Sequence, residues 1–335
     1  MTLRLHYNEN TAGCSAAVVR ALSELTVHDI ATYEDDAGTT SEIGRWFRVP
    51  DGWVLPVNGL DEGILLTAQL AALESRARYA AVVVEPAFEM YADVVTTTGG
   101  EIVRLPPVAD FAFDATRVVA RATPDTRLVF LCDPNNPTGL GLSRIDVESI
   151  ADALPNALIF VDEAYADFRG RTLIDESLSA RPNIVVGRTF AKAHGLAGLR
   201  IGALIAAPAT IAKLRRVALP YRINVAAAVG LSAALADRAH LAHTIADAAA
   251  SRTLLRATCE RLGLKTWPSE ANFMLVRIGD QSVDCAAWME RRGVRVRDRS
   301  ALPGCDGCLR ITTGPVAHTQ LAISILEEWH AQQSR

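Results

Sequence analysis

The sequence predicts an α/β protein in which a mainly parallel sheet lies between helices and is joined to a smaller α+β domain. From about residue 50, an apolar strand, a polar motif and a helix follow one another several times, which is typical of parallel strands with crossover helices. Alanine-rich helices follow up to about residue 262, and shorter strands and helices alternate after them. We therefore predict a large ligand-binding domain over residues 30–245, and a small domain with an N-terminal arm from residues 1–29 and 246–335.

Length and composition favour a globular protein of this size. The chain has 335 residues, of which 50% are hydrophobic and 21% charged, and its net charge is -4. Nucleic acids bind basic surfaces, so we expect no nucleic-acid partner. The first residues contain no apolar signal core, and no apolar run is long enough to span a membrane. These features predict a cytoplasmic protein without a membrane partner.

Six cysteines are scattered along the chain, as is common in a reducing compartment. The one close pair, Cys305 and Cys308, has no second pair and no histidine near it. A metal site is therefore not expected.

The first fifty residues are predicted to contain an extended segment and two helices. Residues 1–12 are polar and extended, and a helix is predicted over residues 15–25. An acidic, turn-like segment around Tyr33 then leads into another helix that starts near Thr40.

Five apolar runs are the predicted strands of the large sheet, and a polar motif follows each of them. The runs and their motifs are residues 53–57 with NGLDEG and a helix from about Ile64, residues 80–84 with EPAFEMY, residues 128–132 with DPNNPTG, residues 158–161 with DEAYADF, and residues 184–186 with RTFAKAHGLAGLRIG. In parallel sheets, ligands lie beyond the carboxyl ends of the strands. We therefore expect the five motifs to meet at one site.

The rest of the chain completes the large domain and forms the small one. A strand is predicted over residues 201–206, followed by helices over residues 211–262, one of which links the two domains. Strands over residues 273–276, 294–296 and 308–312, a helix over residues 283–292 and a last helix make up the small α+β domain.

Lys192 is the candidate for chemistry that requires an amine. Only three lysines occur in the chain, and Lys213 and Lys265 lie in a solvated helix face and after a helix end. A lysine that attacks a carbonyl must be deprotonated, which a shielded pocket near another cation favours. Lys192 follows an apolar strand and precedes Arg200, as this chemistry requires. From this stretch alone, an ordinary surface lysine is the alternative.

The motif NGLDEG is suited to holding a phosphate. It places Gly59 and Leu60 at the start of a helix, where unpaired amides and the helix dipole favour an anion. The carboxylates of Asp61 and Glu62 would repel an anion, so these side chains are expected to point away. Arg200 would add a countercharge, and Thr189 a hydroxyl.

The remaining motifs offer groups for an aromatic ring. Asp162 ends a buried strand and needs a cationic or hydrogen-bonding partner, which a protonated pyridine nitrogen would supply. Tyr165 is close enough in sequence to reach the phenolic oxygen of the same ring, and Asn136 offers an amide donor. Phe88 offers a face for stacking. Together with Lys192, these groups describe pyridoxal phosphate.

The motifs DPNNPTG, VDEAYADF and TFAKAHGLAGLRIG, in this order and spacing, resemble those of the fold-type I aminotransferases of class I/II. NEN, GLDEGI, PAFEMY, VRVRDR and CLRITTG are similar to the histidinol-phosphate aminotransferase branch, and the resemblance covers nearly the whole chain. It implies a fold-type I transferase dependent on pyridoxal 5'-phosphate. The implied reaction is ping-pong amino transfer between histidinol phosphate and 2-oxoglutarate in histidine biosynthesis.

The resemblance also implies the roles of individual residues. Lys192 bonds to the cofactor and moves the proton of the substrate Cα, while Asp162 holds the pyridinium. Tyr165 and Asn136 bind the 3'-oxygen, and Phe88 stacks on the ring. The cofactor phosphate is held by Gly59, Leu60, Asp61, Thr189, Arg200 and, from the partner subunit of a homodimer with shared active sites, Tyr33. The substrate, a small amino donor or keto acid, is bound by Tyr7, Asn8, Arg297 and Arg310.

Three departures from the family pattern bear on the substrate. Ala191 stands where the family usually has serine, Phe88 replaces the commoner tyrosine, and the longer N-terminal arm of relatives is expected to be missing. An arginine that binds a phosphate can also bind a carboxylate, so transamination of aromatic amino acids is the main alternative. Decarboxylation of threonine phosphate is another.

Two alternative functions that do not involve this chemistry are disfavoured. A binding or regulatory domain without catalysis would not need Lys192, Asp162 and Arg200 together. A dinucleotide-binding enzyme would carry GxGxxG after its first strand, and neither that motif nor a P-loop is present.

Overall fold

Short apolar runs separated by amphipathic stretches build a structure of alternating strands and helices. The computed structural model describes residues 2–75 and 78–333. Its helices are α1 (Ala16–Ser23), α2 (Val27–Ala31), α3 (Asp36–Phe47), α4 (Leu60–Glu74), α5 (Met90–Thr97), α6 (Ala115–Arg121), α7 (Arg144–Ala153), α8 (Ala166–Arg169), α9 (Pro208–Arg215), α10 (Val225–Ala236), α11 (Arg238–Arg261), α12 (Ser282–Arg291) and α13 (Val316–Gln333). Its strands are β1 (Leu3–Arg4), β2 (Val54–Val57), β3 (Ala80–Val84), β4 (Glu101–Leu105), β5 (Thr126–Cys132), β6 (Leu158–Asp162), β7 (Ile184–Thr189), β8 (Gly202–Ala206), β9 (Lys265–Thr266), β10 (Phe273–Arg277), β11 (Val294–Arg295), β12 (Arg297–Asp298) and β13 (Cys308–Thr312).

The large sheet has seven strands in the order β2-β8-β7-β6-β5-β3-β4. Only β8 runs against its neighbours, β2 and β7, so the predicted mainly parallel sheet is confirmed. The connection from β7 to β8 contains only a short 3-10 turn, Ala197–Leu199, and it returns the chain antiparallel because it lacks a crossover helix. The carboxyl ends of the five predicted strands consequently lie at one edge of the sheet.

The large sheet is buried on both faces. Every residue of β7 and β8 is buried. Alternate residues enter different apolar layers: Phe160 and Val185 pack in one layer, and Ile159 and Val186 pack in the other. Continuous apolar runs are expected when helices cover both faces of a parallel sheet, and this explains why these strands show no polar alternation.

A second sheet holds four strands in the antiparallel order β12-β13-β10-β9, while β1 pairs with β11 in a separate parallel pair. The predicted strand over residues 294–296 corresponds to β11, and the strand β12 that follows it in the other sheet was not predicted. The predicted boundary at residue 245 falls within the continuous helix α11, and the division into two domains stays a prediction. Within residues 2–75 and 78–333, no single helix is long and apolar enough to span a membrane; α10 and α11 meet that test only as a pair bent by 78°.

Several other details differ from the sequence prediction, among them the start of α3 at Asp36 instead of near Thr40. Helix α4 begins at Leu60 instead of about Ile64, because Gly59 is its N-cap and Glu62 accepts a hydrogen bond from the Asn58 amide. Strand β4 and the short helix α2 were not predicted. The strand β4 is only partly buried, and its sequence EIVRL therefore mixes charged with apolar residues. This mixture gives a weak apolar signal.

Candidate active site

The five polar motifs meet in one pocket of about 340 Å³ at the carboxyl ends of β2, β3, β5, β6 and β7. The pocket brings together most of the predicted site residues: Tyr7, Asn8, Leu60, Asp61, Phe88, Asn136, Asp162, Tyr165, Thr189, Lys192, Arg200, Arg297 and Arg310. Gly59, which precedes the lining residue Leu60, and Tyr33 are not among the residues that line this pocket. The expected convergence of the strand ends is confirmed, whereas the role of each residue stays a prediction.

Lys192 lies in the loop after β7 and lines the pocket. Its Nζ donates a hydrogen bond of 3.1 Å to the backbone carbonyl of Tyr7. Burial lowers the pKa of Lys192 to about 8, and the nearby positive charge of Arg310 acts in the same direction. The lowered pKa makes the neutral amine, which a nucleophile or a base requires, far more accessible than it is in an ordinary lysine.

Asp162 is the last residue of β6 and is fully enclosed. One carboxylate oxygen accepts a hydrogen bond of 2.9 Å from the Ala164 amide, and the other accepts one of 2.7 Å from the Tyr91 hydroxyl. Burial nevertheless raises the pKa of Asp162 to about 6, because both donors are neutral. A cation placed in the pocket against this carboxylate would stabilise its ionised form.

Tyr91 is a site residue that the sequence analysis missed. Its ring stacks on Phe130 with centroids 4.7 Å apart, and it meets Phe88 edge to face at 5.8 Å. This packing fixes the hydroxyl that holds Asp162. The available signal was its position in EPAFEMY, three residues after Phe88, which places both rings on one side of the chain at the start of α5.

A hydrogen-bond network holds Tyr165 in place. The side-chain amide of Asn8 donates to the Tyr165 hydroxyl at 3.0 Å, and the Thr312 hydroxyl donates to the side-chain oxygen Oδ1 of Asn8 at 3.1 Å. Burial raises the pKa of Tyr165 to about 12, so the hydroxyl keeps its proton and can donate into the pocket. Asn8 is itself buried and occupied by these contacts, and its predicted part in substrate binding stays a prediction.

Arginines form one wall of the pocket. Arg310 donates to the Asn136 side-chain oxygen at 2.5 Å, which leaves the Asn136 amide group to face the pocket, and to the His6 carbonyl at 2.6 Å. Burial lowers the pKa of Arg310 to about 10. Arg297 lies directly opposite Arg310 in the β12–β13 pair but is exposed. Arg299, which was not predicted, is buried in the same wall. Like charges placed this closely favour binding of an anion.

The predicted phosphate cradle lies at the N-terminus of α4. Gly59 has a φ of +75°, and a Cβ added there would lie 2.5 Å from Arg200 Nη2, so glycine allows the arginine to approach the backbone. The amides of Leu60 and Asp61 belong to the first helical turn, whose N–H groups lack partners within the helix. Thr189 lies at the same edge, while the neighbouring Ala191 brings no hydroxyl.

The expectation that the Asp61 side chain points away was wrong. Its carboxylate accepts a hydrogen bond of 2.7 Å from Arg200, because this guanidinium is the nearest cation. Glu62 does turn away and bonds to the Asn58 amide at 2.5 Å. The contact of Asp61 engages Nη2 of Arg200, and the guanidinium has further N–H groups that can bind a phosphate.

Tyr33 lies outside the pocket of its own chain. Its side chain is 80% exposed, and its ring stacks on Tyr221 at a centroid distance of 4.3 Å. This position leaves the hydroxyl available to another molecule. Its contribution to the site of a partner subunit stays a prediction.

Comparisons with known proteins identify the family. The sequence model of "Aminotransferase class I and II" matches residues 2–326. Histidinol-phosphate aminotransferase 2 of Ralstonia nicotianae is 34% identical over 98% of this chain and 89% of that protein. The aromatic amino acid aminotransferase of Rhodococcus jostii is 35% identical over 73% of this chain and 68% of its own length. The crystal structure of histidinol-phosphate aminotransferase from Sinorhizobium meliloti in complex with pyridoxal-5'-phosphate superposes with a TM-score of 0.89 at 26% identity, covering 99% of this chain and 92% of that one. This chain therefore belongs to the class I and II aminotransferases.

Proposed function

We propose that this aminotransferase moves the amino group of histidinol phosphate to 2-oxoglutarate. The arginine wall of the pocket carries this proposal: Arg297, Arg299 and Arg310 line it in addition to Arg200 at the phosphate cradle. Histidinol phosphate lacks a carboxylate and presents a phosphate dianion instead, which several guanidinium groups bind well. The histidinol-phosphate aminotransferases that match nearly the whole chain support the same substrate.

The cofactor of this chain is pyridoxal 5'-phosphate, and the residues of the pocket fit it. Lys192 supplies an amine with a lowered pKa, Asp162 supplies a buried carboxylate whose hydrogen-bond donors are both neutral, and Gly59 leaves room for an anion cradle next to Arg200. When bound, the cofactor supplies a carbonyl carbon that carries the amino group and a ring that draws electrons from the substrate Cα.

Different residues of this chain have different roles in amino transfer. Lys192 Nζ is the group that would remove the proton from the substrate Cα and later release it, and a pKa of about 8 suits both accepting and giving up a proton. Asp162 keeps a positive charge on the ring nitrogen, and Tyr91 orients this carboxylate. Asn8 holds the Tyr165 hydroxyl in the position from which it donates a hydrogen bond into the pocket.

Titration of the holoenzyme with each candidate donor, without any keto acid, tests the substrate. We expect histidinol phosphate to remove the visible absorption band of the cofactor at a far lower concentration than phenylalanine does, because its phosphate reaches the arginine wall. The opposite order would contradict the proposal and favour an aromatic amino acid aminotransferase, the activity named for the Rhodococcus relative. If neither compound changes the band, the enzyme decarboxylates its substrate or uses another donor.

We further propose that two chains form a homodimer with shared active sites. Tyr33, which is implied to contact the cofactor phosphate, lies outside its own pocket and is exposed. Other exposed apolar side chains occur on α1 and α2 and near Tyr221, and burial against a second copy would remove them from water: Val19, Val27, Ile30 and Leu219. A cytoplasmic location also stays a prediction from the sequence.

Mixed dimers test this arrangement. Tyr33→Ala is expected to weaken cofactor binding by about tenfold, the value of one hydrogen bond to a charged group. When subunits that carry Tyr33→Ala are mixed with subunits that carry Lys192→Ala, one site of the hybrid regains both side chains. Activity at limiting cofactor should therefore rise above the sum of the two separate proteins. If no recovery occurs although hybrids form, Tyr33 does not act across the interface.

A further inference from the structure

Of the two buried arginines of the pocket, Arg299 and Arg310, Arg299 has more hydrogen-bond donors without a partner among the described residues. Its side chain is 4% exposed, and its Nη1 donates to Glu89 Oε1 at 2.7 Å. Its Nε and Nη2 are buried and have no hydrogen-bond partner among the described residues. Arg310 has bonds through both Nη atoms and leaves only Nε without one. Buried donors without partners cost free energy, so an acceptor in the pocket would be stabilised at Arg299.

Glu89 is placed to compete for the same guanidinium. It precedes α5, lines the pocket and is 48% exposed, so its carboxylate can turn to solvent. Partial burial disfavours its charge, but the hydrogen bond from Arg299 outweighs this and lowers the pKa of Glu89 below its usual value. The contact therefore joins two charged groups, one fixed and one able to move away.

We propose that Arg299 binds the anionic end of the substrate and that Glu89 is its resident counter-ion, which a sufficiently strong anion displaces. This inference rests on the proposed function, because it names the residues that select a phosphate. A phosphate dianion offers three acceptor oxygens and more charge than the Glu89 carboxylate, so it displaces Glu89 from the Arg299 guanidinium. A donor without an anionic end leaves the Glu89–Arg299 pair in place. Glu89 thereby sets a threshold that favours phosphorylated substrates.

Four holoenzymes test the inference: wild type, Arg299→Gln, Glu89→Gln and the double variant. For histidinol phosphate, Arg299→Gln should raise KM roughly 10- to 100-fold, the value of hydrogen bonds to a charged group, with a much smaller change in kcat. Glu89→Gln should lower KM several-fold, because the competitor has lost its charge. In the Arg299→Gln background, Glu89→Gln should have no effect, since the two residues act as a pair. Inhibition by inorganic phosphate should change in the same sense, and thermal unfolding checks that each variant folds.

Two results would overturn the inference. One is an unchanged KM and unchanged phosphate inhibition in Arg299→Gln. The other is an equal effect of Glu89→Gln in both backgrounds, which would indicate a general electrostatic influence. If the wild type does not accept histidinol phosphate, the proposed function fails. Inhibition by inorganic phosphate is then measured with whichever donor bleaches the cofactor band, and it tests the Glu89–Arg299 pair separately.

Discussion

Replacing Lys192 with alanine is expected to abolish transamination while the fold remains intact. The side chain supplies both the amine that bonds to the cofactor and the base that moves the Cα proton, so its removal should lower turnover by about 10⁴-fold or more. The remaining pocket has no second lysine, because Lys213 and Lys265 lie outside it. Burial lowers the pKa of Lys192, so the folded state disfavours its ammonium form, and the variant should not unfold at a lower temperature.

Lys213→Ala is the matched control for this prediction. Lys213 lies on α9, is half exposed and pairs with Glu74 at 3.0 Å, so the same change of residue there should leave turnover near that of the wild type. Cofactor uptake by the wild-type apoprotein should accelerate as the pH rises toward about 8, because the neutral form of Lys192 is the reactive one. Lys192→Ala should lack this dependence. Turnover above about one per cent in Lys192→Ala would refute the assigned role.

The sequence was sufficient to predict the strand ends of the large sheet and their convergence. Each of these strands is an uninterrupted apolar run, because the sheet is covered on both faces, and each run stops at a polar motif. The direction of a parallel sheet then brings the motifs together without any knowledge of side-chain contacts. Asp162 and Lys192 were identifiable for this reason: Asp162 is the last residue of β6, and Lys192 lies in the loop that follows β7.

The contacts within the pocket were not predictable in the same way. Tyr91 holds Asp162 only because α5 turns its ring onto Phe130. Arg297 and Arg299 both line the pocket, but Arg299 is buried and Arg297 is exposed, although only one residue separates them. These outcomes depend on where the strand β12 ends and how the chain leaves it, and no periodic pattern encodes that. The Asp61–Arg200 ion pair likewise reflects proximity in space between residues far apart in sequence.

Replacing Asp162 with asparagine is expected to lower turnover roughly 10²- to 10³-fold, the cost of losing one preorganised electrostatic partner of a reacting group. Asparagine keeps the size of the side chain and can still accept a hydrogen bond from the Ala164 amide. It has no charge, however, so it cannot favour a protonated ring nitrogen. Cofactor retention should weaken as well, which the visible absorption after dialysis measures.

Tyr91→Phe separates the charge of Asp162 from the packing around it. The variant loses the 2.7 Å hydrogen bond to the carboxylate but keeps the ring stacked on Phe130, so turnover should fall about tenfold or less. If charge at the ring nitrogen drives the reaction, Asp162→Asn must be much slower than Tyr91→Phe. Equal losses in kcat/KM would mean that the orientation of this residue matters and its charge does not. A wild-type rate in Asp162→Asn would show that the negative charge of this carboxylate takes no part in the mechanism.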